Sequence, residues 1–357
     1  MKLLEITRSF YPSVGGLEKF VNDRLKIYES LGIDCTILST TFMNKKRDYS
    51  LRNGKTIFLK QYTPFNYTPD IKNHLKSGYD FISINQTGRY FSDRAIYHYA
   101  KLGKKILLTP HFTYHTSRYR SIKKIHDLII TGWLLKKCTA IICFTEHERK
   151  YWLDTYKLPP EKLIVIPHYL DPDYEYRPNP VTGEKYLLYL GRAAENKKTD
   201  LLIRAFHLLN QNNYKLKLSL DYEDLEEDTK KIAAADDRIE LLGYIPESEK
   251  DKIIADCSAL VYPSEYEAFG HLLLEASKFS KPLICSNLDV FKEILDPLGV
   301  LFFDNSVEGI TKKLSEFFNL DDEIKSKMGD VNYERLKRFS FKAVQKKYSD
   351  LFSSLAL

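Results

Sequence analysis

Two glutamates, Glu267 and Glu275, lie eight positions apart on either side of Gly270. The apolar run Ala259–Tyr262 predicts a buried strand and a helix is predicted to begin near His271, so the glutamates frame a strand-to-helix turn. The first N–H groups of a helix suit a diphosphate, and a glycine there permits close approach of the backbone. A carboxylate one turn into the helix can accept hydrogen bonds from both hydroxyls of a ribose. Taken alone, glutamates at this spacing are more often solvated charges at a helix end.

A second group of charges follows the predicted strand Tyr186–Leu190 and consists of Arg192, Lys197 and Lys198. Cations near the carboxyl end of a strand suit a leaving diphosphate, whose negative charge grows as a glycosidic bond breaks. The spacing alone leaves open the alternative of a solvated basic turn.

Two further candidates follow predicted strands in the first half of the chain. Gly15 and Gly16 come after the strand Lys2–Thr7, and paired glycines permit close approach to a phosphate or a sugar. His111 follows the strand Lys105–Thr109, at the end of a parallel sheet where ligands bind. A tight turn and a structural histidine are the alternatives that the residues by themselves leave open.

The elements that must position these residues alternate along the chain, and the alternation restarts near residue 183. Alternating strands and helices predict parallel sheets with helices on both faces, so two successive series predict two doubly wound α/β domains. Two such domains facing each other would form an interdomain cleft at the carboxyl ends of their strands. The remaining predicted strands are Asp34–Ser39, Thr56–Lys60, Phe81–Asn85, Ala140–Phe144, Leu163–Pro167, Leu216–Leu220, Arg238–Leu242 and Leu283–Cys285.

The segment 167–180 contains four prolines and no apolar periodicity, which is typical of a linker. We therefore expect a domain over residues 1–170, a second domain over residues 171–339 and a final helix over residues 340–357. Asp171 and Asp173 imitate a metal-binding motif, but they lie in the linker, away from any strand end. We expect neither a metal ion nor a cofactor.

The run from Pro263 to Asn287 resembles the Glu-x7-Glu signature of retaining glycosyltransferases of family 4, which have the GT-B fold of two facing Rossmann-like domains. The segments around Arg192 and around Gly15-Gly16 are similar to two further elements of that family, and all motifs come in the expected order. The resemblance implies metal-independent transfer of a sugar from a nucleotide diphosphate sugar to an acceptor hydroxyl, with retention at the anomeric carbon. It also implies that the last helix returns to the first domain.

The resemblance implies a role for each candidate residue. Glu275 would hold the ribose, and Glu267 and His111 would lie beside the transferred sugar. Arg192 and Lys197 would stabilise the departing diphosphate, although the family's glycine after this lysine is Lys198 here, so that Lys198 remains an alternative to the preferred Lys197. The resemblance also implies donor contacts, made largely by the backbone, at Gly15, Gly16, Phe269, Gly270, His271 and Leu272. For the nucleotide base we expect contacts from the backbone near Ile245.

Two other classes of protein remain open at this point. A sugar-nucleotide epimerase or hydrolase of the same architecture would process the donor without an acceptor. A non-catalytic protein that binds nucleotide sugars would need the same contacts and no turnover.

Charge is divided unevenly along the chain. Residues 1–170 contain 28 Lys and Arg and 14 Asp and Glu. The whole chain has 54 basic and 48 acidic residues, so residues 171–357 contain 26 basic and 34 acidic ones. The basic first half therefore favours an anionic partner.

The stretch from His111 to Lys137 combines cations with Tyr114, Tyr119 and Trp133. Such a stretch is typical of a surface that binds anionic lipid or a lipid-linked acceptor, but it is equally typical of a solvated helix. His115 is a weaker candidate for acceptor contact.

The other partner and location predictions are brief. No nucleic-acid recognition motif is present, so we expect no nucleic-acid partner. The N-terminus lacks a signal-peptide pattern, no apolar run reaches the roughly 18–20 residues of a membrane span, and the five cysteines are scattered. We expect a cytoplasmic protein, bound at the inner face of the membrane if the basic stretch binds lipid.

Overall fold

The computed structural model describes residues 1–11, 15–41, 56–61, 68, 71–76, 78–111, 127–170, 183–192 and 194–356. The chain divides into two compact units. The first unit comprises Met1–Tyr169 together with Phe341–Leu357, and the second comprises Leu170–Ser340. The last helix therefore belongs to the same unit as the N-terminus.

The first unit contains a seven-stranded parallel sheet in the order β3-β2-β1-β4-β5-β6-β7. The strands β4 and β6 are buried along their whole length, as expected for strands that helices cover on both faces. The strands are β1 Lys2–Ile6, β2 Asp34–Thr40, β3 Thr56–Leu59, β4 Phe81–Asn85, β5 Lys105–Thr109, β6 Ala140–Cys143 and β7 Leu163–Val165.

Apolar side chains form a core on each face of this sheet. One core includes Val344, Tyr348, Leu351 and Phe352 from the last helix, and these pack with Leu3 and other strand residues. The helices of this unit are α1 Gly16–Ser30, α2 Ile71–His74, α3 Tyr90–Lys101, α4 Gly132–Lys137, α5 Glu146–Tyr156 and α13 Phe341–Ala356.

The second unit contains a six-stranded parallel sheet in the order β10-β9-β8-β11-β12-β13. Its strands are β8 Tyr186–Tyr189, β9 Lys215–Leu218, β10 Ile239–Leu241, β11 Ala259–Tyr262, β12 Leu283–Ser286 and β13 Val300–Phe303. Its helices are α6 Thr199–His207, α7 Glu227–Ala235, α8 Glu247–Asp256, α9 His271–Lys278, α10 Asp289–Ile294, α11 Val307–Phe318 and α12 Asp322–Arg335.

The predicted α/β class with two doubly wound sheets is confirmed, but several elements were missed. The missed strand β13 lies at the edge of its sheet and is half-buried along two of its four residues, although all four are apolar. The helix α12 has little apolar periodicity because Gly329 rather than a large side chain makes its closest contact: a Cβ there would lie 1.8 Å from the carbonyl oxygen of Ser280. Close backbone packing of this kind leaves no signal in a hydrophobic pattern.

Of the basic stretch from His111 to Lys137, the structure describes His111 and residues 127–137. A π-helical turn, Asp127–Thr131, leads there into α4. Of the linker predicted over residues 167–180, residues 171–180 lie outside the described part of the chain. Within the described ranges, no helix combines the length and the apolar character that crossing a bilayer requires.

Candidate active site

In the second unit, two neighbouring strands deliver the predicted charged residues to one edge of the sheet. The strand β8 leads to Arg192 and Lys197, and its neighbour β11 leads to Glu267. Because parallel strands end at the same edge, both loops lie where ligands of doubly wound sheets bind.

The side chains of Lys197 and Glu267 meet in an ion pair, and each is 17% exposed. Tyr262 donates from its hydroxyl to Glu267 Oε1 at 2.7 Å, and Ser264 donates to the same oxygen at 3.0 Å. The ammonium of Lys197 also lies 2.9 Å from the Tyr262 hydroxyl. Burial and the charge of Glu267 raise the pKa of Tyr262 well above its usual value, so this hydroxyl keeps its proton. Three donors thus hold one carboxylate oxygen in place.

Lys198 lies beside Lys197 but is oriented differently. Its backbone is left-handed, with φ 49° and ψ 36°, a conformation that glycine adopts without strain. Its ammonium pairs with the half-exposed carboxylate of Glu265 at 3.2 Å. The geometry explains why a glycine suits this position, and it brings Lys197 rather than Lys198 to Glu267.

Arg192 follows a tight turn at the end of β8. The Gly191 N–H donates to Ser219 Oγ at 2.9 Å, and a Cβ on Gly191 would lie 2.5 Å from the Tyr189 hydroxyl. The Arg192 side chain is exposed and has no ion-pair partner among the described residues. It is therefore a guanidinium available to an anion.

The helix α9 begins directly after Gly270, which has φ 88° and ψ 46° and no side-chain capping hydrogen bond. Any side chain at this position would be strained, and a Cβ would also lie 2.7 Å from the ring of Phe291. Phe269 and Gly270 are buried, and His271 and Leu272 are half-buried. This strand-to-helix turn is the one predicted from the sequence, and a glycine shapes it.

Glu275 lies about one turn into α9 and is 5% exposed. Its Oε1 is 3.2 Å from Lys250 Nζ and 3.4 Å from His271 Nε2. Burial lowers the pKa of Lys250, but the carboxylates of Glu275 and Glu247 outweigh burial and raise it overall. Lys250, which the sequence analysis did not single out, therefore holds the Glu275 carboxylate by a charged contact.

Ile245 is half-buried in the loop that follows β10, and its neighbour Tyr244 is 79% exposed. A Cβ on Gly243 would lie 2.8 Å from Asp221 Oδ1, and Gly243 has a positive φ of 63°. The loop is thus bent by a glycine at the same edge of the sheet as the charged residues.

In the first unit, Gly15 and Gly16 open the helix α1 after β1. Gly15 is extended, and the space that its side chain would occupy is filled by Glu18, whose Oε2 would lie 2.7 Å from a Cβ. Gly16 faces open space. Both glycines are exposed, as close approach of a ligand requires.

His111 follows β5 with a positive φ of 52° and is packed between two aromatic rings. Its ring centroid is 4.9 Å from that of Phe20 and 5.2 Å from that of Phe144. Nε2 lies 3.0 Å from Asn85 Oδ1 at the end of β4. Burial, together with the nearby guanidinium of Arg24, lowers the pKa of His111 from its usual 6.5 to about 3. The imidazole is therefore neutral at physiological pH.

Behind His111 lies a polar network within the core. Arg24 donates to the Glu5 carboxylate, to Asn85 Oδ1 at 2.8 Å and to Thr109 Oγ1 at 2.8 Å. Each of these four side chains is at most 2% exposed. The sequence analysis missed this network, although Glu5, a single acid within the apolar strand β1, is a signal of a buried partner.

Some of the predicted residues lie outside the part of the chain that the structure describes. His115, Asp171 and Asp173 lie outside the described residues. Among the residues that the structure describes, no three His, Cys, Asp or Glu side chains are grouped as a metal ion would require. Tyr262, Ser264 and Lys250 were missed, the first two although they flank the Glu267 motif.

The two parallel sheets match known structures of the GT-B class. Sucrose-phosphate synthase from Thermosynechococcus elongatus superposes with a TM-score of 0.80 at 18% identity, over 99% of this chain and 98% of that one. HepE of Anabaena, solved with UDP and glucose, gives a TM-score of 0.76 at 14% identity, over 99% and 100% of the two chains. The protein has the GT-B fold.

Sequence comparisons narrow this class to a family. Residues 14–174 match the model of Glycosyltransferase Family 4, and residues 173–335 match that of Glycosyl transferases group 1. An uncharacterized glycosyltransferase of Methanocaldococcus jannaschii is 25% identical over 96% of each chain. The GPI3 subunit of Saccharomyces cerevisiae phosphatidylinositol N-acetylglucosaminyltransferase is 21% identical over 90% of this chain and 75% of its own length. The chain belongs to the family-4 glycosyltransferases.

A third relative is more similar over a shorter stretch. The O-antigen chain mannosyltransferase B of Escherichia coli is 32% identical over 133 residues, which are 35% of this chain and 35% of that protein.

Proposed function

We propose that this glycosyltransferase moves the sugar of a nucleotide diphosphate sugar to an acceptor hydroxyl, with retention at the anomeric carbon and without a metal ion. The observation that carries the proposal is the cluster of Lys197, Glu267 and Tyr262, which lies beside Arg192 at the adjoining ends of β8 and β11. It combines cations for a diphosphate with a fixed carboxylate for a sugar.

The cations carry the leaving-group chemistry in this proposal. As the bond from the anomeric carbon to the diphosphate oxygen breaks, negative charge grows on the diphosphate and positive charge on the sugar. Arg192, the Lys197 ammonium and the N-terminus of α9 stabilise the first, and Glu267 stabilises the second. The departing phosphate oxygen takes the proton of the acceptor hydroxyl, which bonds to the anomeric carbon on the same face of the sugar.

Glu275 and the loop around Ile245 bind the nucleoside in this proposal. The carboxylate of Glu275 is already fixed by Lys250 and His271, so a ribose meets an acceptor whose position is set in advance. HepE was solved with UDP and glucose, and TarM of Staphylococcus aureus was solved with UDP and α-GlcNAc-glycerol. UDP-sugars are therefore the first donors to test.

The proposed acceptor is a lipid-linked or cell-surface glycan precursor at an anionic membrane. In the first unit, Ile129, Ile130 and Trp133 are 63%, 44% and 46% exposed. The ammonium of Lys137 lies 5.4 Å from the centre of the Trp133 ring. Apolar and aromatic groups with adjacent lysines fit the boundary between lipid headgroups and acyl chains. The relatives named for O-antigen and phosphatidylinositol chemistry also support this class of acceptor.

Thermal unfolding with a panel of UDP, GDP and ADP tests the nucleotide site. The matching nucleotide raises Tm in the wild type, since a ligand of the folded state stabilises it by mass action. Glu275→Ala loses that shift, whereas Glu265→Ala, which removes a more exposed carboxylate of the same region, keeps it. A panel without any shift contradicts nucleotide binding.

Product analysis tests the reaction. NMR of the product formed from each UDP-sugar and a lipid-linked acceptor should show the anomeric configuration of the donor, and activity should survive treatment with a chelator. An inverted product contradicts retention, and loss of activity that a divalent metal restores contradicts metal independence. Efficient consumption of the donor without an acceptor would favour a hydrolase or an epimerase instead.

Vesicle flotation tests the membrane surface. The wild type should float with vesicles of anionic lipid at low salt, and Ile129→Ser with Trp133→Ser should weaken flotation. Leu208→Ser is the matched control, because Leu208 is 65% exposed in the second unit. Equal flotation with neutral and anionic vesicles, or none, contradicts the proposal.

A further inference from the structure

The amide of Asn85 has its orientation fixed by neighbours that can play only one role each. Its Oδ1 lies 2.8 Å from Arg24 Nη2, and a guanidinium only donates. Its Nδ2 lies 3.1 Å from the carbonyl oxygen of Ile6, which only accepts. A flipped amide would place donor against donor and acceptor against acceptor, so Oδ1 must be the atom that faces His111.

This orientation determines the proton on His111. Nε2 of the imidazole lies 3.0 Å from the same Asn85 oxygen, which already accepts from Arg24. Because only an acceptor faces it, Nε2 must carry a hydrogen and donate. A neutral imidazole has one N–H, so its Nδ1 keeps a lone pair. Nδ1 has no hydrogen-bond partner among the described residues.

The surroundings keep the imidazole neutral. The guanidinium of Arg24 shares the Asn85 oxygen with His111, and a second positive charge there would be repelled. The carboxylate of Glu5 is bonded to Arg24 and Asn85 and not to the imidazole. The aromatic rings of Phe20 and Phe144 cover His111 on two sides. The lowered pKa of His111 agrees with this geometry.

We propose that Asn85 is a positioning residue that holds His111 as the Nε2–H tautomer, so that Nδ1 is left to accept a hydrogen bond from a substrate hydroxyl at the carboxyl edge of the first unit's sheet. This inference rests on the proposed function for the substrate and on the described contacts for the tautomer. It makes His111 an acceptor that orients a substrate hydroxyl and excludes it as a source of protons for the leaving group. Specificity then depends on a hydroxyl that points to Nδ1.

Nitrogen-15 NMR of histidine-labelled protein tests the tautomer without any substrate. The chain has nine histidines, and His111→Gln identifies the signals of His111 by their loss. At neutral pH the wild type should show a protonated Nε2 and an unprotonated Nδ1 for His111. An Nδ1–H tautomer or an imidazolium would overturn the proposal, whatever the enzyme's activity.

Two variants separate the role of Asn85 from general packing. Asn85→Leu keeps the approximate size but removes the acceptor, so both neutral tautomers of His111 should become populated. Thr109→Val is the control, because it removes another partner of Arg24, at 2.8 Å, and leaves Asn85 in place. It should keep the single Nε2–H tautomer. If Asn85→Leu does not fold, the wild-type signals still decide the question.

A double-mutant cycle on turnover of UDP-sugars tests the second half of the proposal. Asn85→Leu should lower kcat/KM about tenfold in the wild-type background, the size of one well-placed hydrogen bond, and should cost nothing further in His111→Ala. Losses that add independently would mean that Asn85 does not act through His111. If no UDP-sugar is consumed by the wild type, the proposed function fails, and the NMR result still decides whether Asn85 sets the tautomer.

Discussion

The two units hold their charged side chains in opposite ways. In the first unit, Arg24 and Glu5 form an ion pair at 2% and 0% exposure, entirely surrounded by the protein. In the second unit, Lys197 and Glu267 form an ion pair of similar composition, but both side chains remain 17% exposed. The first pair is part of the core, whereas the second lies at the surface of the sheet edge.

The difference in burial gives the two pairs different uses. A fully buried pair is costly to separate, so it fixes the groups bonded to it, and in the first unit it fixes the amide that faces His111. A partly exposed pair can exchange partners at lower cost, so Lys197 can turn to a diphosphate when one binds. The first unit therefore presents a neutral group of set orientation, and the second presents charge.

Removal of the buried cation should have the largest effect on stability. Arg24→Met leaves the Glu5 carboxylate buried without its charged partner, and we expect a loss of about 3–5 kcal/mol in the free energy of unfolding. Both tryptophans, Trp133 and Trp152, lie in the first unit, so denaturant unfolding followed by their fluorescence reports on that unit. Lys26→Met, on an exposed face of the same helix, should change the stability by less than about 1 kcal/mol. If both substitutions changed the free energy of unfolding equally, the buried ion pair would not have the structural role described for it.

Removal of the partly exposed cation, Lys197, should affect turnover more than stability. We expect Lys197→Ala to lower kcat with a UDP-sugar by about 10²–10³, since it removes a preorganised charge at the leaving group. Lys198→Ala is the matched control and should lower kcat less than about tenfold, because Lys198 pairs with the exposed Glu265. A larger loss at Lys198 would transfer the proposed role to that residue.

The neutral state of His111 predicts a pH dependence of stability in the first unit. The folded-state pKa is about 3 and the usual value is 6.5, so between these values the unfolded chain binds a proton that the folded chain does not. Stability should therefore fall as the pH decreases from about 6.5 towards 3. For each pH unit in this range, the free energy of unfolding of the wild type should fall by up to about 1.4 kcal/mol more than that of His111→Gln. Denaturant unfolding followed by tryptophan fluorescence measures the difference. Identical slopes for wild type and His111→Gln would contradict the neutral imidazole.

The smallest expected effect concerns backbone strain, which both units contain. Lys198 in the second unit and Lys157 in the first have left-handed backbones, with φ of 49° and 50°. Replacement by glycine relieves strain but gives the unfolded chain more freedom, so each change should raise stability by at most about 1 kcal/mol. Circular dichroism melting of both variants measures the effect. A clear loss of stability at either position would show that its side chain contributes more than its backbone costs.

The sequence was sufficient to predict the class of fold and the strand-to-helix turn at Gly270. Both depend on local patterns, namely the apolar strand β11, the glycine and the glutamates that follow. The family assignment depends on the same local motifs and is confirmed by the comparisons.

The contacts that orient the candidate residues were not predictable in the same way. Arg24 and Asn85 are 61 positions apart, and Lys250 and Glu275 are 25 positions apart. The residues of each pair come into contact only because the order of strands and helices brings them together. A local sequence pattern does not predict contacts between residues so far apart along the chain. The lone acid Glu5 indicated that a buried partner exists but not which residue it is.

The return of α13 to the first unit has a consequence for biosynthesis. Residues 170–340 leave the ribosome as one continuous segment and can fold as soon as they emerge. The first unit starts earlier but is completed later, because Val344, Tyr348, Leu351 and Phe352 pack against one face of its sheet and are translated after residues 170–340. Until then that face exposes Leu3, Phe81 and Leu107 to chaperones and to other nascent chains. Of the two units, the one whose synthesis begins first is thus the one completed second.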